Sequence, residues 1–120
     1  MAHRERRRYP RIDTEVTVEV YTSPLHTAEP EVAEICSVIN LSECGMRFQA
    51  GRIFDTTQLL RLTFLLPDSI IIIRTDARII HHQKIKGNSS EVGVEFTNIS
   101  LSDRKIIRHY VEKNLEEPPT

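Results

Sequence analysis

Val16, Val18 and Val20 alternate with Glu15, Thr17 and Glu19, a period of two that predicts a strand with one buried face over residues 14–21. Residues 22–31 hold Pro24 and Pro30 among serine, threonine and histidine and read as a loop. From Val32 the alternation resumes through Ile35, Ser37, Ile39 and Leu41. Beyond Ser42-Glu43-Cys44-Gly45 it continues at Met46 and Phe48, which predicts two strands joined by a short glycine-containing turn. Two branched apolar runs, 58–66 and 70–82, flank Leu66-Pro67-Asp68-Ser69 and predict a second hairpin. Gly87-Asn88-Ser89-Ser90 marks the next turn, after which Val92, Val94 and Phe96 alternate with Glu91, Gly93 and Glu95.

The period then changes. Ile106, Ile107, Tyr110, Val111 and Leu115 share one helical face, with Ser100 or Ser102 available as N-cap and Asp103 in the first turn,. Glu116-Glu117-Pro118-Pro119 ends that helix. Six short antiparallel strands and one C-terminal helix make a mainly β fold. A closed six-stranded antiparallel β-barrel with the helix capping one mouth is the expected architecture, because closure removes the edges a lone sheet exposes.

At 120 residues with 39% hydrophobic side chains, the chain is sized for one domain that needs no metal or disulfide to fold. The most apolar stretch, 59–73, is interrupted by Arg61, Pro67 and Asp68, so no membrane insertion is expected. The first residues lead into arginine and Tyr9-Pro10, not into an apolar run; no secretory signal is expected, and the setting is read as cytoplasmic. Cys36 and Cys44 form no CxxC pair and read as reduced thiols.

Enzyme signatures are missing: the sequence contains no GxSxG, HExxH, GxxxxGK[ST] or GxGxxG,. His81 and His82 are adjacent on a strand, where successive side chains face opposite ways, so they are a poor metal pair. His26 and His109 lack acidic or cysteine companions at metal-ligand spacing. No catalytic residue, cofactor or metal is expected.

Charge distribution sharpens this picture. The formal charge of −1 argues against a dedicated nucleic-acid binder only as an average. Residues 1–11 carry five arginines and one glutamate, a balance of +4 that leaves −5 for the rest. The chain therefore divides into an arginine-rich arm (1–12), a barrel with its helix (13–116) and a short tail (117–120). A +4 arm with few apolar anchors is expected to be mobile when empty. Arginine forks onto phosphate oxygens or guanine O6 and N7, and its flat face stacks on a base. Arg7 and Arg11 are separated by three residues, with Pro10 stiffening the arm. Asn40 and Ser42, two apart on a strand, project an amide and a hydroxyl to one face, while Gly45 permits close backbone approach.

These two segments resemble the PilZ domain, a bacterial receptor module for cyclic di-GMP. Arg7-Arg8-Tyr9-Pro10-Arg11 matches its RxxxR motif, and Asn40-Leu41-Ser42-Glu43-Cys44-Gly45 matches [D/N]xSxxG in full, with 28 residues between them. Val92-Gly93-Val94-Glu95-Phe96, followed by Ile99-Ser100 and by Arg104 and Ile107, is similar to the family's last strand and its passage into the C-terminal helix. The likeness runs from about residue 4 to 115 and implies the same barrel.

The resemblance implies a ligand, cyclic di-GMP, and roles for individual residues. Arg7 and Arg11 would grip phosphates and guanine edges, Asn40 and Ser42 would hydrogen-bond a guanine and a phosphate, and Gly45 would be backbone permission. Arg47, just past the glycine, joins this set. Arg6 stands where the family differs between one ligand molecule and a stacked pair. Ligand capture would pin the arm to the barrel and display a new surface to a downstream protein, with the receptor a monomer or homodimer. Two alternatives stand beside it: a PilZ-fold interaction module that binds no nucleotide, and a basic arm tethered to nucleic acid or an anionic membrane. The acidic remainder speaks against a broad nucleic-acid face.

Overall fold

A computed structural model describes residues 10–22, 32–67 and 69–115 of the chain. Seven strands and a helix follow in order: β1 (Ile12–Asp13), β2 (Thr17–Thr22), β3 (Val32–Ser42), β4 (Gly45–Ala50), β5 (Leu59–Leu65), β6 (Ile72–Lys84), β7 (Ser90–Phe96) and α1 (Leu101–Leu115). Every pairing is antiparallel. The ladder runs β3-β2-β5-β6-β7-β4 and returns from β4 to β3, which closes a six-stranded barrel. Val20 opposes Leu62, Leu62 opposes Thr75, Ile79 opposes Val94, Val92 opposes Phe48, and Phe48 opposes Val38.

The barrel is filled by the inward side of each alternation, including Val18, Val20, Leu41, Phe48, Leu60, Leu62, Ile73 and Val92. Each such side chain, fully buried, stabilises the fold by about 1.5–3 kcal/mol relative to exposure. The rings of Phe48 and Phe54 meet edge to face at 6.1 Å.

Two details depart from the sequence expectation. The first strand is divided: Ile12 and Asp13 pair with Leu41 and Asn40 as β1, and β2 then begins at Thr17. The register against β3 slips by one residue between them, so a single run of alternation becomes two pieces. On β3, moreover, Ile35 is exposed, whereas Cys36 and Val38 face the core. The expected inward series of Ile35, Ser37, Ile39 and Leu41 holds only at its end. The ladder to β4 shifts register between Val38 and Asn40; this bulge moves the inward phase from Val38 to Leu41.

Helix α1 is capped as the sequence suggests. Ser100 Oγ accepts from the Asp103 amide at 3.0 Å, leaving Ser102 within the helix. Ile107 and Val111 are buried, and the helix packs on β1 and β3. The Thr14 and Tyr110 hydroxyls are 3.1 Å apart, joining helix to barrel. Leu115 is half exposed, so the buried stripe is shorter than the apolar pattern.

Candidate functional site

The bulge on β3 decides where two of the candidate side chains go. With Cys36 and Val38 inward, unbroken alternation would send Asn40 and Ser42 into the core as well. The extra residue, Ile39, turns both to the outer side, where they line a cavity of about 170 Å³. A second bulge does the same on the far flank. Ile73, Thr75 and Ala77 point inward along β6, the register against β7 slips between Ile79 and His81, and His81 emerges into the same cavity.

Between these flanks run β4 and β7. Gly93 on β7 lies opposite Arg47 on one side and His81 on the other, so Arg47, Gly93 and His81 form one row across three strands. Lacking a side chain, Gly93 leaves a notch in the row: a Cβ there would stand 3.1 Å from His81 Cβ and 3.9 Å from Arg47 Nε. Arg47 Nε and His81 Nε2 are both shielded from solvent and have no hydrogen-bond partner among the described residues. A buried polar atom left unpaired in this way destabilises by about 1–3 kcal/mol, and a ligand that supplied the partners would recover that loss.

Five of the seven residues singled out in the sequence line this cavity: Arg11, Asn40, Ser42, Gly45 and Arg47. Arg6 and Arg7 lie outside the described residues. Glu95 at the rim is engaged by Arg78 at 2.8 Å, and Glu91 lies 3.6 Å from Arg47, so each of these carboxylates is already paired with an arginine. The cavity's volume is below the roughly 300–1,000 Å³ of a pocket that encloses a drug-sized ligand. Only part of such a ligand fits inside; the rest must be held from outside the barrel.

A family model described as PilZ domain matches residues 5–113. The chain belongs to the PilZ domain family. Solved structures share its fold. The Bacillus subtilis inhibitor of motility MotI/DgrA aligns at a TM-score of 0.73 with 22% identity, over 96% of this chain and 54% of its own. The PilZ domain of YcgR from Escherichia coli, solved with c-di-GMP, aligns at 0.64 with 17% identity, over 94% and 96% of the two chains. The MrkH–c-di-GMP complex of K. pneumonia aligns at 0.68 with 15% identity, over 94% and 53%. The chain thus spans about half the length of MotI/DgrA and of MrkH. Comparison with curated proteins gives no match.

In this PilZ domain the motif residues also hold one another. Ser42 Oγ accepts from the Cys44 amide at 3.2 Å and donates to the Gly45 carbonyl at 3.4 Å, a side-chain turn that fixes the link from β3 to β4. Gly45 is needed for close approach to protein, not for an unusual backbone angle: a Cβ there would collide with the Val94 carbonyl oxygen on β7.

His81 is the residue that sequence reasoning missed. Its neighbour His82 accepts from the Phe54 amide at 3.2 Å and is structural, and nothing in the pair HH says which of the two a bulge will turn outward. Among the described residues no group of acids, histidines and cysteines is placed to hold a metal, and no helix is long and apolar enough to cross a membrane. Among the described residues neither Cys36 nor Cys44 is in a disulfide. Burial, reinforced by Glu34, pushes the Cys36 thiol up to about 12, so it carries little thiolate and little reactivity.

Glu43, inside the motif, faces away from the cavity and is buried. Its carboxylate accepts from Arg104 Nε at 2.9 Å and from Arg108 Nε and Nη2 at 3.0 and 3.1 Å, so the β3–β4 turn is tied to α1. The hydrogen bonds from Arg108, then those from Arg104, hold the carboxyl below its ordinary range against the opposing effect of burial. A carboxyl depressed in the folded state stabilises the fold above its unfolded pKa, and that contribution is lost as pH falls through the folded value. Glu43→Gln is expected to destabilise the domain by about 1.5–3 kcal/mol near neutral pH, with the gap to wild type narrowing as urea titrations move to about pH 3. A gap that stays constant over this range would show that the clamp carries no charge dependence.

Proposed function

We propose that this PilZ domain is a cytoplasmic receptor for cyclic di-GMP, in which Arg11, Asn40, Ser42 and Arg47 of the barrel act together with Arg6 and Arg7 of the arm. The observation that carries the reading is the convergence of Arg11, Asn40, Ser42 and Arg47 on the cavity where Arg47 Nε and His81 Nε2 lack partners. Guanine presents O6 and N7 acceptors along one edge, the pattern to which an arginine fork is suited. A planar base also fits a notch floored by Gly93. The small cavity leaves the phosphates outside, for the cations of the arm to neutralise. Binding is the whole activity: the ligand bridges arm and barrel, and the altered surface is read by a downstream protein.

Calorimetric titration with cyclic di-GMP, with GTP as control, tests the reading. Selective binding is expected, and Arg11→Ala and Asn40→Ala should each weaken it by about 1–3 kcal/mol, roughly tenfold to a hundredfold. No heat at tens of micromolar ligand would leave a nucleotide-free interaction module. Binding of random DNA that ignores Asn40→Ala and Ser42→Ala and fades steeply with salt would identify a tether instead.

A further inference from the structure

We propose that the groove between the tip of the β5–β6 hairpin and helix α1 is the docking site for a partner protein that presents an acidic amphipathic helix. The groove has a volume of about 710 Å³ and shares no lining residue with the cavity at the bulges. The inference therefore goes beyond the nucleotide-receptor reading and does not depend on it.

Its floor is apolar, made by Leu66, Pro67, Ile106 and the body of Tyr110. The hairpin carries that character outward: Ile70, one residue past the groove-lining Ser69, is 97% exposed, and Leu65 and Ile71 are about half exposed. Branched apolar side chains gathered at a hairpin tip mark a surface made to be covered.

Charge selects the occupant. Lys105, His109 and Lys113 line the groove at four-residue intervals, so they form one row down the helix about 12 Å long. Among the described residues neither Lys105 nor Lys113 makes an ion pair, whereas Arg47, Arg52, Arg61, Arg78, Arg104 and Arg108 each face a carboxylate. Among the described residues the basic row thus has no acid partner. A helix bearing acids one turn apart beside an apolar stripe matches the row and the floor together. Two lysines and a histidine fall short of the roughly four to eight cations of a lipid-binding cluster, and a concave groove suits protruding side chains better than a lipid plane.

The test is to pan the whole protein against a displayed library of random peptides long enough for about four helical turns. Enriched sequences are expected to combine leucine, isoleucine or phenylalanine at helical spacing with flanking Asp and Glu. Synthetic copies should bind at least tenfold more weakly to the K105E/K113E protein and unchanged to K86E, a control on the β6–β7 turn. Absence of enrichment, enrichment without acidic bias, or indifference to K105E/K113E overturns the proposal. So do two other results: binding to phosphatidylglycerol vesicles with no peptide selected, which assigns the groove to lipid, and self-association in sedimentation velocity that K105E/K113E abolishes, which assigns it to a second copy.

Discussion

Gly45→Ala is expected to destabilise the domain by about 3 kcal/mol, the upper end of what overpacking costs, and to lower the melting temperature by roughly 10 °C or more. The added Cβ would collide with the Val94 carbonyl oxygen and stand 3.2 Å from its carbon and 3.3 Å from Glu95 Cα. All three are backbone atoms in the β4–β7 ladder, where Gly45 pairs with Glu95 and the Phe96 amide donates to the Cys44 carbonyl at 2.8 Å. A flexible side chain would swing aside; a laddered strand must break hydrogen bonds to move. The same displacement opens the Ser42 turn, so under the proposed receptor function cyclic di-GMP binding should fall with stability. Thermal melts followed by circular dichroism check this, and an alanine variant that melts within about 2 °C of wild type would contradict the steric argument.

Gly93→Val separates binding from folding. Cyclic di-GMP affinity is expected to drop at least a hundredfold, or about 2.7 kcal/mol. The two γ-methyl groups occupy the notch between Arg47 Nε and His81, where the receptor reading seats a planar base. A β-branched residue suits a strand interior better than glycine does; the nearest obstacle, His81 Cβ at 3.1 Å, is fixed to the β6 backbone, so β6 and β7 must part there by a few tenths of an ångström, a smaller shift than Gly45→Ala demands. The variant should therefore keep its strand signal and cooperative melt while its calorimetric titration goes flat. Titrations that match wild type would move the ligand away from Gly93. Gly93→Ala, smaller by two carbons, should fall between the two.

The strands and helix were legible because Val16–Val18–Val20 and Val92–Val94–Phe96 alternate strictly, and because Ile107 and Val111 recur at helical spacing beyond a serine cap. The bulges were not. On β3, Ile35, Val38 and Ile39 are all branched and apolar, so hydrophobicity alone does not say which of them face water, and a slip of register leaves no mark in composition. Asn40, Ser42 and Gly45 were nonetheless recognisable, since their types and spacing form a motif whatever the phase of the strand. His81 carried no such pattern: its place comes from the slip near Ile80 and from its partner Gly93, twelve residues further on. Glu43 is disguised in the same way, because an acid in a turn ordinarily faces solvent and its arginines are 61 and 65 positions away.

The two bulges also set the terms on which such a domain can change. Apart from Gly45 and the Ser42 turn, substitution can retune the site, since its side chains stand on the outer surface and the core beneath is supplied by other positions. Deletion cannot. Removing Ile39 would restore unbroken alternation and swing Asn40 and Ser42 into the barrel interior, where an amide and a hydroxyl have no partners; removing Ile80 would do the same to His81. Descendants of such a sequence that abandon the ligand are therefore expected to do so by point mutation and to keep the length of β3 and β6, so strand length would persist as a fossil of the site after its chemistry is gone.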